Sequence, residues 1–577
     1  MTGRRAEPTT AAAPADAPGK SPSPALRFPT GPATAVLALG SLCYLWTTEG
    51  TVESFALAAA ACLALAGAVA LLTRRTLPAA IATAGLLALF HLASRFKSAE
   101  TAMLLHAYDV VDALRSPAAL VDLVTAHPGY ASALAAAVLL LALAIRLARR
   151  LDRAPILRGP AAGLLVAAAA ASCAAAVAKD PRPHTLYYFW NIHLSAFVTS
   201  WPDAIGALVR GKLIEAARFS NGRPFREAAA CNPVGQRPHI ILIHQESVVP
   251  PSLFAALSYD RGLDELFRSH DGKLRTLRVE TYGGASWLSE FAVMAGLSTQ
   301  SFGGMRQLVQ PVMAGKLRDA LPQVLSRCGY RGVLYYPMLR AYLNSARFFS
   351  AMGFEEIVDA KDQGAASASE RDRFYYANAI RGLEKHIAAS REPMLAYIQT
   401  SAAHWPYTYT YEPDTVVPGG GPGTHPEMHE YLRRLAMARM DYAALKSDLA
   451  RRFPAEQFLI VHYGDHQPLA TRTLLGFGEA TDIEEVLRSA RPQAFLSYYA
   501  IDAVNFQPHL PPDGDALDIA YLGTVLLEAA GLPLSESYQE RRRLMAVCQG
   551  RYFLCSRRDE ILTFHRRLID SRLLDAL

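Results

Sequence analysis

Ser286 stands in the stretch TYGGASWLSEF (281–291), directly after Gly283, Gly284 and Ala285 and four residues before Glu290. A hydroxyl at the start of the helix-like run WLSEFAVMAGL meets free backbone N–H groups and the positive end of the helix dipole, which together stabilise an anion. The two glycines let the chain turn sharply and leave a bulky tetrahedral group room to approach. Serine is a poor nucleophile at neutral pH, and coordination to a divalent cation can supply its alkoxide. Glu246, Asp465 and His466 carry the oxygen and imidazole donors for such a cation, a set suited to manganese, magnesium or zinc. Taken singly, each residue has a plainer reading: Ser286 as a helix N-cap, Asp465-His466 as a polar turn, Glu246 as a surface acid, and His404, beside Trp405 and Pro406, as a structural histidine.

What joins them is their place relative to the strands. From about residue 237, short apolar runs alternate with longer helical patterns. HIILI (239–243), GVLYY (332–336), MLAYIQ (394–399), QFLIV (457–461) and AFLSYYA (494–500) read as buried strands, with helical patterns such as 318–328 and 430–452 between them. That alternation predicts an α/β sheet with helices on both faces, whose ligands bind beyond the carboxyl ends of the strands. HIILI runs into His244-Gln245-Glu246, MLAYIQ into TSAAHWP with His404, and QFLIV into HYGDHQP with Asp465 and His466. Three strand ends thus deliver donor groups to one edge.

The 577 residues are 51% hydrophobic and only 19% charged, and the apolar residues concentrate before residue 180. Five runs, at about 32–48, 54–72, 78–95, 131–148 and 161–178, suit a hydrocarbon core of roughly 30 Å. Arg74 and Arg75 follow the second run and Arg146, Arg149, Arg150, Arg153 and Arg158 the fourth, whereas the 49–53 turn carries only Glu49 and Glu53. Lys/Arg excess marks the cytoplasmic side. The N-terminus, with Arg4, Arg5, Lys20 and Arg27, is therefore expected inside, and everything after residue 180 outside. Residues 1–30, rich in Ala, Pro, Ser and Thr, read as a disordered cytoplasmic tail with no cleavable signal. MLLHAYDVVDALRSPAALVDLV (103–124) and the stretch 185–217, with Tyr187, Tyr188, Phe189, Trp190 and Trp201, suit the membrane surface.

The balance of 58 Lys+Arg against 52 Asp+Glu is mildly basic and partly accounted for by the cytoplasmic arginines. With no basic run interleaved with aromatics in the outer part, nucleic acid is not an expected partner. Of seven cysteines, Cys43, Cys62 and Cys173 fall in apolar spans, and Cys231, Cys328, Cys548 and Cys555 fall on the oxidising side. Cys548 and Cys555 flank QGRYFL, a distance suited to a small disulfide-closed loop. There is no CxxC pair for a cysteine zinc site.

Five spans before an outer domain, an acid after the first strand, Gly-x-(Ser/Thr)-x-x-x-Glu-Phe at 284–291, His404-Trp405-Pro406 and Tyr463-Gly464-Asp465-His466 together resemble the lipoteichoic acid synthase (phosphoglycerol transferase) branch of the alkaline phosphatase and sulfatase superfamily. The resemblance covers about residues 31–540. It implies an alkaline phosphatase/sulfatase-like α/β domain at 237–540, preceded by a transmembrane domain (31–180) and a juxtamembrane amphipathic linker (181–236) and followed by a C-terminal extension (541–577). It also implies one divalent metal, manganese first with magnesium or zinc as alternatives, held by Glu246, Ser286, Asp465 and His466. By the same resemblance Ser286, where the synthases carry Thr, forms a covalent phospho-intermediate, and His404 contacts the phosphate, with neighbouring Trp405 grouped with it at the substrate. Arg347, in LNSARFFSAMGF, is the counterpart of a phosphate-gripping arginine in a shifted register. The implied partners are a membrane phospholipid donor and a glycan or polyol acceptor, met on the outer face of the cytoplasmic membrane. Related chemistries stay open: a phosphoethanolamine transferase, an ester hydrolase of the same superfamily, or a sensory module with a silent site. A sulfatase would need (Cys/Ser)-x-Pro-x-Arg, and Ser286-Trp287-Leu288-Ser289-Glu290 lacks both the Pro and the Arg.

Overall fold

The computed structural model describes residues 30–575 apart from 102, 116–124, 126, 153–158, 180–191, 211–212, 221, 227–230, 232–236 and 418–424. The expected N-terminal tail and the aromatic run 187–190 lie outside the described residues. The chain divides into two compact units. One holds the chain up to Thr47, Ala59–Leu89 and Val124–Cys173; the other holds Thr48–Ala58, Phe90–Leu123 and Ala174–Leu577.

All five apolar runs are helical: α1 (Thr30–Thr48), α2 (Val52–Thr73), α3 (Thr76–Thr101), α5 (Pro128–Leu151) and α6 (Pro160–Lys179), with the short amphipathic α4 (Ala107–Arg115) between α3 and α5. Three of them, Val52–Thr73, Thr76–Ala99 and Pro128–Leu151, are long and apolar enough to cross a membrane. In the first unit the two Arg-bearing turns meet. Asp152 accepts a hydrogen bond from the Leu77 N–H (3.0 Å), and Arg75 donates to the Arg149 and Asp152 carbonyls. In the second unit Glu49 accepts from the Leu194 N–H (2.8 Å) and the Ser195 hydroxyl (2.5 Å) at the start of α7 (His193–Arg210). The basic turns after α2 and α5 therefore share one end, and the acidic turn after α1 belongs to the second unit.

That unit is built on an eight-stranded sheet: β1 (His239–Gln245), β2 (Arg275–Arg278), β3 (Arg331–Tyr335), β4 (Glu356–Val358), β5 (Met394–Thr400), β6 (Phe458–Gly464), β7 (Leu496–Val504) and β8 (Ala516–Asp518), in the order β4-β3-β5-β1-β6-β7-β2-β8. β1 runs parallel to both neighbours, with Gln245 opposite Thr400 on β5 and Gly464 on β6. The carboxyl ends of β1, β5 and β6 are thus level. Ile240 and Leu242 enter one core and Ile241 and Ile243 the other, the two-residue period of a strand covered on both faces. On the first face lies α8 (Ser286–Ala295); on the second lie α9 (Asp372–Ala389) and α10 (Pro426–Arg452). The five expected strands are present. β2, β4 and β8, of three or four residues, are additions whose runs are too short to show a period.

The segment beyond 540 is continuous with this architecture. It completes α11 (Glu536–Val547) and adds α12 (Arg558–Asp570), and Leu544, Ile561 and Phe564 share a core with Leu288 and Val293 of α8. Arg541 of α11, fully buried, donates to the Gly296 and Ala295 carbonyls (both 3.3 Å) at the C-terminus of α8 and lies 3.1 Å from Asp319. Four cysteines form two disulfides, Cys231–Cys328 and Cys548–Cys555.

Candidate active site

α8 begins at Ser286, and its N-cap is Ala285, in the left-handed region with φ 64° and no side-chain cap bond. Ser286 is therefore not the capping residue. Its hydroxyl turns away from the helix backbone and donates to Glu246 Oε2 (2.6 Å), with His466 Nε2 at 3.3 Å. Gly283 has φ 68°, and a Cβ there would lie 2.9 Å from Ile483, so the turn into α8 demands glycine. Ser289, the other hydroxyl of the helix start, is buried and donates to the Asp465 carbonyl (2.7 Å), fastening α8 to the end of β6.

The acids come from the two central strand ends. Gly464 lets them converge: a Cβ there would meet the Val248 carbonyl oxygen at 1.9 Å. Asp465 Oδ1 accepts the Ser247 and His466 amides (2.8 and 2.9 Å), while Asp465 Oδ2, buried, has no hydrogen-bond partner among the described residues. A buried carboxylate oxygen is costly unless a cation meets it, and the groups that approach this one are two imidazole nitrogens. His466 Nε2 lies 3.2 Å from that oxygen and 3.3 Å from Glu246 Oε1; its Nδ1 lies 3.0 Å from the Gln467 carbonyl, a contact that fixes Nδ1 as the protonated nitrogen and aims Nε2 at the acids. His244 points Nε2 at Asp465 Oδ2 (3.3 Å) and has the Tyr463 hydroxyl 3.0 Å from Nδ1. His244, Glu246 and Asp465 bring one ligand atom each to within 4.8 Å of one another. These residues fit a divalent cation.

The electrostatics agree. Burial alone would raise the Glu246 carboxyl, and His466 and the bonds from His244 and His466 outweigh it, holding it well below the usual carboxylate range. Burial opposes protonation of His466, yet Asp465 and Glu246 lift its imidazole to about 9. His244 is likewise raised well above its ordinary value, Tyr463 and Asp465 outweighing burial. Without an ion, the negative field of the acids draws protons onto both imidazoles. The field that does so is the one a divalent cation would satisfy.

Of these groups His244, Glu246 and Ser286 line a pocket of about 200 Å³ together with Glu290 and His404, while Asp465 and His466 lie behind them and are not among the lining residues. A Cβ on Gly284, also at the wall, would meet nothing within 4 Å, so this side is open space. Glu290, one helical turn beyond Ser286, is fully buried; burial pushes its carboxyl up to about 7, against His244 and the Gln310 amide that donates to it at 2.6 Å. His404 is exposed at the pocket rim with Nδ1 2.6 Å from the Trp405 carbonyl. Trp405, 53% exposed, is not among the lining residues. Arg347 lies elsewhere, on the short helix Ser345–Ala351 beside a separate cavity.

The loop bearing His404 is held from beneath by Arg434 of α10. Its guanidinium donates to the Ala402, His404 and Pro406 carbonyls (3.3, 2.7 and 2.9 Å), pairs with Glu430 at 2.9 Å, and lies about 5 Å from the ring centres of Tyr407, Tyr409 and Tyr411. Sequence reasoning missed this clamp, since a guanidinium thirty residues distant leaves no local pattern. It also left His244 out of the ligand set, although the two-residue period of β1 puts 244 on the side of 246.

Residues 256–488 match the family model described as Sulfatase. The fold of the catalytic unit is accordingly of the alkaline phosphatase–sulfatase class. Among individual proteins, an uncharacterised protein of Haemophilus influenzae is 25% identical over 325 residues, 54% of this chain and 54% of that one, so the chain spans about half the length of this curated relative. The Streptococcus pyogenes phosphoglycerol transferase GacH, solved with sn-glycerol-1-phosphate, is 16% identical over 60% of this chain and 87% of its own, with a TM-score of 0.44. The lipoteichoic acid synthase LtaP of Listeria monocytogenes is 14% identical over 55% and 76%, with a TM-score of 0.37. The C-terminal periplasmic domain of EptC from Escherichia coli is 14% identical over 55% and 89%, with a TM-score of 0.38.

Proposed function

We propose that this chain is a membrane-anchored, metal-dependent transferase that moves a phosphoglycerol headgroup from a membrane phospholipid, through a covalent phosphoserine at Ser286, to a hydroxyl of a glycan or polyol. The observation that carries this reading is the Ser286 hydroxyl itself. Relieved of capping by Ala285, it sits at a helix N-terminus, bonded to Glu246 at 2.6 Å, beside a buried Asp465 oxygen faced by two imidazole nitrogens.

In the first step Ser286 Oγ bonds to the donor phosphorus as the bond from phosphorus to the diacylglycerol oxygen breaks; the proton from Oγ, which rests on the bond to Glu246, ends on the diacylglycerol hydroxyl. The first-turn N–H groups of α8 face the charge that develops on the phosphoryl oxygens. His404, at the rim of the same pocket, contacts the transferred phosphate. In the second step an acceptor hydroxyl oxygen replaces Oγ on phosphorus, and its proton returns to Ser286. A divalent cation held by Glu246, Ser286, Asp465 and His466, with His244 alongside, supplies Lewis-acid polarisation of the phosphoryl oxygens and lowers the pKa of the serine hydroxyl. The catalytic unit belongs on the outer face of the membrane, a placement supported by its two disulfides and by the basic turns gathered at one end of the spans.

The test is to incubate the full-length protein with phospholipids labelled in the headgroup. Diacylglycerol should be released, and a phosphoglycerol adduct should appear on Ser286 in intact-protein mass. A phosphoethanolamine adduct instead would reassign the donor, and an active protein without any adduct would remove the covalent route.

A further inference from the structure

A second cavity, of about 100 Å³, lies in the catalytic unit between the end of α3 with α4 and the segments around 308–312 and 343–347. Its charges do not cancel. Lys97 Nζ is neutralised by Asp109 at 2.6 Å, whereas exposed Arg347 has no ion-pair partner among the described residues. Lys316 adds a further cation at Tyr108, its Nζ 3.2 Å from the hydroxyl.

Position distinguishes this cavity as much as charge. Leu343 lines both it and the catalytic pocket, so one side chain separates the two. Leu343 and Asn344 are consecutive left-handed residues, φ 52° and 57°, a conformation that costs a non-glycine residue on the order of 1 kcal/mol and persists where surrounding structure enforces it. On the other side, Lys97 and Thr101 occupy the last two turns of α3, whose span Thr76–Ala99 is long and apolar enough to cross a membrane. The cavity therefore lies at the end of a helix long and apolar enough to cross a membrane and against the wall of the catalytic pocket.

We propose that this cavity is a binding site for the phosphodiester headgroup of an anionic membrane phospholipid, a holding position one residue away from the catalytic pocket. The Arg347 guanidinium takes the phosphate charge, with the Tyr108 hydroxyl and the Asn344 amide offering further hydrogen bonds. This rests on the membrane and donor reading above, and binding separates the two because it needs no turnover.

The full-length protein carrying Ser286→Ala, loaded with Mn2+ in neutral detergent, is irradiated with phosphatidylglycerol bearing a photoreactive headgroup, and labelled peptides are mapped. Label is expected on the 101–109 and 342–347 peptides. Arg347→Gln should lower it about tenfold and Arg347→Glu further, in line with loss of one charge-assisted contact. Lys316→Gln, an independent variant, should lower it less. Labelling confined to peptides around 286 and 404, or unaffected by Arg347→Glu, overturns the proposal. So does equal labelling by phosphatidylcholine, or displacement by free sn-glycerol-1-phosphate as readily as by the lipid. Label at the second cavity together with no Ser286 adduct in the unsubstituted protein would sustain the site while removing the transferase reading.

Discussion

Replacing Ser286 with alanine separates a nucleophile from a helix-start residue, and the geometry sets the size of both effects. The substitution removes one charge-assisted hydrogen bond to Glu246 (2.6 Å), of a kind worth about 1.5–3 kcal/mol. Several terms offset that loss. Glu246 keeps the Ser247 hydroxyl at 2.9 Å and His466 at 3.3 Å, and alanine is the better helix former by about 0.5 kcal/mol. No cap bond is lost, because Ala285 is the N-cap. The net destabilisation should be about 1 kcal/mol, a shift of roughly 1–2 °C in thermal midpoint for a unit of this size. Turnover should fall at least about 10⁴-fold, since among the hydroxyls that line the pocket Ser286 is the one bonded to Glu246. The assay is diacylglycerol release from labelled phosphatidylglycerol, read beside a melting curve and intact mass on the same preparation. Ser286→Thr, which restores the hydroxyl, should recover part of the rate. A Ser286→Ala protein that still turns over, or an adduct mapped to Ser289, would refute the reasoning.

Stripping divalent cations should abolish turnover, and Mn2+, Mg2+ or Zn2+ should restore it. At about a hundredfold excess over its dissociation constant the ion should add about 2.7 kcal/mol of stability, a gain that Asp465→Ala should lose in thermal melts. Arg434→Lys keeps the charge opposite Glu430 but cannot span three carbonyls, so it should lower kcat/KM for the lipid donor about tenfold while leaving Mn2+ affinity, read by titration, unchanged. Asp372, fully buried, has its carboxyl pushed up to about 7 by burial and by Asp441. The native state holds that proton where the unfolded chain has released it, so the contribution to stability is fully present below about pH 4 and is lost as pH rises to 7. Asp372→Asn should therefore raise the thermal midpoint more at pH 8 than at pH 5, and a pH-independent difference would show that the carboxyl is ionised in the folded protein.

The central strands and the meeting of Glu246, Ser286, Asp465 and His466 were legible because each is a local pattern. Fully apolar runs announce a sheet covered on both faces, and polar residues just past them fall at one edge by the topology of parallel strands. Other features were not local. β2 binds β7 in antiparallel register and β8 in parallel, and three or four residues cannot display that choice. The partner of Cys231 lies 97 residues away, and only the folded chain selects Cys328. Arg347 shows the limit of matching by motif, since a shift in register carries a side chain onto another wall. The glycines before Ser286 mark a helix start, and only the structure separates the serine from the cap, by seating Ala285 there.

Arg541 has a bearing on how the protein is made. It closes the C-terminal carbonyls of the helix that begins at Ser286, yet it follows Ala295 in the chain by 246 residues and Gly296 by 245. At synthesis rates of about 5–20 residues per second, that interval lasts on the order of tens of seconds. Throughout it, the nascent chain has Glu246 and Ser286 already polymerised but lacks the guanidinium that closes the helix begun by Ser286, and for most of it lacks Asp465 and His466 as well. The nascent chain therefore carries the hydroxyl and one acid of the site before it carries the Asp465 and His466 that complete the set, and before the helix start is held from its far end.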